Sequence, residues 1–184
     1  MIVKHAGAPV LICLNLQCAY IDARDPCYAP RSVEALVHAS ACLSWARRQS
    51  IKVWHVHTRD EGARGAPISG FEPRPDEPLF FKQSWSLFDS AELARAHPPL
   101  RDAFVIGFTA AKDCVAAAID AERAGARLIF VTDAIASSSL ADQPAELVDN
   151  VMAALLAEWA VGVNTAELLR REPRRAAYGE RALT

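Results

Sequence analysis

Along this chain short solid apolar runs alternate with longer segments in which apolar residues recur at a helical period. The runs 10–16 (VLICLNL), 51–57 (IKVWHVH), 78–82 (PLFFK), 103–107 (AFVIG), 127–132 (RLIFVT) and 160–164 (AVGVN) read as six strands. Between them, 32–48 predicts a helix on Val33, Leu36, Val37, Leu43 and Ala46. A second is expected over 90–97 with Ser90 as its cap, and a third over 114–124, Ala-rich and ended by Gly125. A fourth covers 143–158 through Leu147, Val148, Val151, Leu155 and Leu156. Strands that are apolar on both faces and alternate with helices predict an α/β fold, a parallel sheet covered by helices on both sides.

Two segments lack a period. Residues 58–77 (TRDEGARGAPISGFEPRPDE) form a long Gly- and Pro-rich loop, a length that is usually functional or mobile. The tail from about 170 to 184 is charged and reads as a solvated extension of a single domain spanning 1–184, with its core at about 9–165.

With 184 residues, 52% of them apolar, the chain can bury a sizeable core. A net charge of −2 gives no reason to expect a nucleic-acid or membrane partner. The N-terminus lacks a long apolar h-region, so a soluble, cytoplasmic protein is expected. Five cysteines (13, 18, 27, 42, 114) with no CxxC pair argue against a disulfide framework or a structural zinc site. The ordinary reading of each is a small buried hydrophobe.

Ligands of open parallel sheets bind outside the carboxyl ends of the strands, where strand order reverses. The first βα turn, NLQCAYIDARDP, has no glycine, which argues against a dinucleotide cofactor. The reactive side chains just past strand ends are Asn15, His57, Arg59, Lys82 and Cys114. If the first and fourth strands flank the reversal, Asn15 and Cys114 face each other across the crevice. At the start of a helix Cys114 is placed where a thiolate is favoured, although the carboxylate of Asp113, the expected N-cap, opposes it.

Three segments, LICLNLQ (11–17), PRPDEPLFFKQSWSLF (73–88) and GFTAAKDCVAAAIDAERAGARLIFVTDAIAS (107–137), resemble the isochorismatase-like cysteine hydrolases. The resemblance implies a three-layer α/β/α, Rossmann-like fold around a six-stranded, mainly parallel sheet. It also implies a Cys–Lys–Asp triad that cleaves a C–N bond of a small amide or ureido-type substrate through a thioacyl intermediate. Carried over by position, Cys114 is the nucleophile and Lys82 its cationic partner, while Asn15 stands where the family has aspartate. The turn from Gly107 to Cys114 is one residue longer than the commonest family pattern, and the N–H groups of Asp113 and Cys114 are expected to form the oxyanion hole. Tyr20, Trp85, Phe88 and His57 are candidates for the pocket wall. No cofactor is implied, and a homo-oligomer, dimer or tetramer, is. The family's metal-binding branch, the nicotinamidases, has histidines in the loop after the second strand. This loop has none between His57 and Lys82, and Asn15 lacks a carboxylate, so no metal is expected.

An amide in place of the acid changes the chemistry. A carboxylate can take the thiol proton and return it to the leaving nitrogen, whereas an amide oxygen only accepts a hydrogen bond. Three readings stay open: a hydrolase in which Asp22, a histidine or water carries the proton, a disabled small-molecule binding or sensing protein of the same fold, and an introduced isosteric substitution. Gln17 and Asp133 are expected to hold loop backbone.

Overall fold

A computed structural model describes residues 9–60, 62–96, 100 and 102–171. The expected end of the second helix at His97, and the charged tail beyond Arg171, lie outside the described residues. The strands are β1 Val10–Leu14, β2 Lys52–Thr58, β3 Leu79–Lys82, β4 Ala103–Phe108, β5 Leu128–Ala136 and β6 Val161–Val163. They form one sheet in the order β3-β2-β1-β4-β5-β6, and every pairing is parallel. Strand order therefore reverses between β1 and β4, whose register pairs Leu14 with Gly107. The helices are α1 Ser32–Arg48, α2 Ala91–Ala96, α3 Val115–Ala124, α4 Ala145–Trp159 and α5 Thr165–Leu169.

The period-2 alternation of β1 splits the core into two layers. Leu11 and Cys13 pack on one side with Ala35, Ala39, Cys42 and Ala46 of α1. Ile12 and Leu14 pack on the other with Ala117, Ala118 and Ala121 of α3 and Leu156 of α4. The buried stripe of α3 is all alanine, and that of α1 combines Ala35, Ala39, Cys42 and Ala46 with Leu43 and Trp45, so small residues let both helices sit close to the sheet. The face expected for α1 is corrected in part: Leu43 and Ala46 are buried as expected, whereas Val33 and Val37 are exposed and Ala35 and Ala39 take their place against the sheet. The same holds for α4, where Val148 and Leu156 are buried while Leu147 and Val151 face out. Helix α5 has no counterpart among the expected helices; Asn164 and Glu167 start it with a capping box. At the end of α3, Gly125 has φ +65°, the left-handed conformation expected of a C′ glycine. No described helix is long and apolar enough to cross a membrane.

One buried polar cluster underlies the amino-terminal half of β2. Glu77 accepts two hydrogen bonds from the Arg47 guanidinium at 2.8 Å each, one from the Arg74 N–H at 3.0 Å, and lies 3.0 Å from His55 Nε2. Burial works against the Glu77 charge, but these donors outweigh it and bring the carboxyl pKa down to about 2. His57, also buried, has an Nε2 with no partner, and burial with the neighbouring His55 lowers its pKa to about 4. Both groups have pKa values depressed by folding. The stability they contribute is present above the unfolded values and is lost as pH falls, through about 6.5 to 4 for His57 and about 4.5 to 2 for Glu77. His57 alone should remove about 3 kcal/mol across its window. Urea midpoints measured from pH 7 to 4, with the His57 imidazole followed by NMR, check this; an imidazole titrating above pH 6 in the folded protein would refute it.

Candidate functional site

The carboxyl ends of β1, β2 and β3 and the turn after β4 bring five side chains, Asn15, Thr58, Lys82, Thr109 and Asp113, into one network. Lys82 closes β3 and pairs in register with Thr58 at the end of β2. Its ammonium is 1% exposed and donates to Asp113 Oδ1 at 2.5 Å, Thr58 Oγ1 at 3.0 Å and the Ser84 carbonyl at 2.9 Å. All three of its protons are used. Asn15 lies just past β1 with φ +50°, a left-handed conformation that Asn tolerates better than most residues. Its Oδ1 accepts from the Thr58 N–H and hydroxyl, both at 3.1 Å. The backbone N–H can only donate, so the amide orientation is set and Nδ2 faces Asp113, donating to Oδ1 at 2.9 Å.

Asp113 is the centre of this network. Its Oδ1 takes Lys82 and Asn15, and its Oδ2 takes the Thr109 hydroxyl at 2.9 Å and the Thr109 N–H at 3.3 Å. Four donors on two oxygens fill a carboxylate's acceptor capacity. An aspartate at position 15 would offer only acceptors to Asp113, so the amide is what this partner requires. Gln17 supports the site as expected, donating to the Thr58 and Gly65 carbonyls and accepting from the Thr58 N–H. Asp133 likewise holds backbone, accepting from the Thr165 N–H.

Cys114 is not where the sequence reading puts it. The chain from Ala110 to Cys114 forms a wide helical turn that runs into α3. Successive residues on a helix point about 100° apart. Asp113 faces Lys82, and Cys114 therefore turns into the core layer of Ile12, Leu14, Val105 and Phe130, with no exposed surface. The extra residue between Gly107 and Cys114 is this difference in register: the position facing the lysine falls at 113. Burial first, and then the Asp113 carboxylate, push the Cys114 thiol pKa well up, against the pull of Lys82. The Cys114 N–H donates to the Thr109 carbonyl at 3.0 Å, so it is not free for an oxyanion.

The other expected residues divide. Tyr20 and Trp85 line a cleft of about 460 Å³ at this end of the sheet, together with Cys27, Thr58, Lys112 and Asp113. Phe88 packs instead against the α3-side core, and His57 is buried with no place in the cleft wall. Asp22 pairs with Arg24 on the surface. Thr58, Thr109 and Lys112 were not among the sequence candidates. Thr58 had a signal, since it follows His57 at a strand end; Thr109 and Lys112 had none apart from their place in the turn. A second cavity, of about 440 Å³, lies at the amino ends of β2 and β3, lined by Arg47, Lys52 and Glu77. The first is the better candidate because ligands of parallel sheets bind at the carboxyl ends, at the reversal of strand order.

No protein-family model matches the sequence, and no curated protein matches it. Solved structures do. An isochorismatase from Pseudomonas putida KT2440 superposes with a TM-score of 0.78 at 24% identity, covering 87% of this chain and 89% of that one. The fold is isochorismatase-like. A cysteine hydrolase from Pseudomonas syringae pv. phaseolicola 1448A is similar at TM-score 0.76 and 16% identity, over 89% of this chain and 91% of its own. An N-carbamoylsarcosine amidase from Thermoplasma acidophilum is similar at TM-score 0.66 and 16% identity, over 86% and 97%. Within this isochorismatase-like fold the present chain has a lysine held by a carboxylate from the β4–α3 turn and an amide at the end of β1.

Proposed function

We propose that this chain binds a small molecule in the cleft beside Asp113 and does not form a thioacyl intermediate on Cys114. The observation that carries the reading is the identity of the atom facing Lys82. It is a carboxylate oxygen, and the carboxylate's lone pairs are filled by an ammonium, an amide, a hydroxyl and a backbone N–H. A carboxylate so held is a weak base and a weak nucleophile. A cleft of about 460 Å³ with an aromatic and polar lining has the size of a small-molecule site. A homo-oligomer is part of the proposal: Leu147, Val151 and Trp159 of α4 and Val161 of β6 leave apolar surface exposed.

Thiol reactivity and turnover test it together. At pH 7.5 iodoacetamide should label the part-exposed Cys18 and Cys27 and spare Cys13, Cys42 and Cys114 until the protein unfolds. The wild-type chain should leave a panel of small amides, N-carbamoylsarcosine among them, intact. The double variant Asn15→Asp/Asp113→Cys brings acid, lysine and thiol together as the Cys–Lys–Asp triad that the resemblance implies, and should gain turnover. Preferential labelling of Cys114, with amide cleavage by the wild type, would restore the thioacyl reading. Hydrolysis by an acid–base route through Asp113 is a second reading, favoured by Asp113 and Thr109 both reaching the cleft wall. It predicts wild-type turnover that survives Cys114→Ala and is lost in Asp113→Asn.

A further inference from the structure

The charges around the cleft pair off with one exception. Asp113 is held by Lys82, and Asp120, also in the wall, lies 3.2 Å from Arg123. Lys112 lines the cleft, and its ammonium makes no ion pair or hydrogen bond among the described residues. Its Nζ lies 5.9 Å from the centroid of the Trp85 ring. Trp85 is 61% exposed, a large aromatic left open at a cleft rim. Tyr20, buried with its ring stacked on Phe108 at 5.5 Å, lines the same wall.

Resting on the binding reading, we infer that the cleft takes a planar, conjugated carboxylate, its ring against Trp85 and its anionic group against Lys112. An ammonium with no anionic partner, over an exposed indole, offers a carboxylate a charge-assisted partner, and the uncovered part of the indole offers a ring a stacking surface. A cationic ligand meets less, because Asp113 is held by the buried Lys82 and Asp120 already has Arg123 beside it.

Benzoate, benzamide and benzylamine share a ring and differ in charge, and ligand-observed NMR titration compares them. The rate of Cys27 alkylation reports whether each probe occupies the cleft. Benzoate should bind about fivefold more tightly than benzamide, with benzylamine weakest. Lys112→Gln should bring benzoate down to the level of benzamide and leave benzamide unchanged. Trp85→Ala should weaken benzoate and benzamide alike. Equal binding of benzoate and benzamide to the wild type, or equal loss of both in Lys112→Gln, would overturn the charge assignment and leave small-molecule binding standing. If none of the probes at millimolar concentration protects Cys27 or gives a binding signal, the assignment and the binding reading both fall.

Discussion

Asp113→Asn is expected to destabilise the protein by about 3–5 kcal/mol, and adding Asn15→Asp to that variant should restore at least half of the loss. Among the described residues, the first change removes the only carboxylate within hydrogen-bond reach of a lysine that is 1% exposed. An uncompensated buried ammonium is the costly outcome. Asn15→Asp alone should also destabilise, because it trades a donor 2.9 Å from Asp113 for a second carboxylate. Together the two changes exchange amide and acid across one hydrogen bond and return a negative charge to the surroundings of Lys82. Urea unfolding of the four species at pH 7 yields the coupling energy, expected at about 2 kcal/mol or more in favour of the double variant. Simple additivity would show that Lys82 does not depend on this charge, and that Asp113 is not the reason for an amide at position 15.

Gly107→Ala should be as damaging, for a reason of backbone geometry. Gly107 has φ +118°, and a Cβ built there would stand 2.0 Å from the Leu14 carbonyl oxygen. Leu14 sits in the centre of the sheet, paired with Gly107 across the β1–β4 seam, and neither backbone has room to yield. The conformational cost and the clash together should amount to about 4 kcal/mol, or prevent recovery of folded protein. Gly125→Ala is the control. It also has positive φ (+65°), but its added Cβ meets nothing within 4 Å, so its cost should stay near 1 kcal/mol. Equal thermal midpoints for the two variants would show that the close approach is not what requires Gly107.

Much of the architecture was legible in the sequence, because strand and helix periods and turn residues are local properties. The solid apolar run of β1 and the alternation with helices specify a parallel sheet with both faces covered. The strand-end rule found Asn15 and Lys82, whose positions are set by where the apolar runs stop. The resemblance also located the turn from which the third partner comes.

Which residue of that turn faces the lysine was decided only by the tertiary structure. At the entry to α3 one residue of register rotates a side chain by about 100°. That is enough to send Asp113 to Lys82 and Cys114 into the core, and a cysteine is equally at home in a core or a crevice. The reason for an amide at position 15 is likewise non-local. It lies in a carboxylate 98 positions further along the chain, which needs a donor where an acid would offer only repulsion.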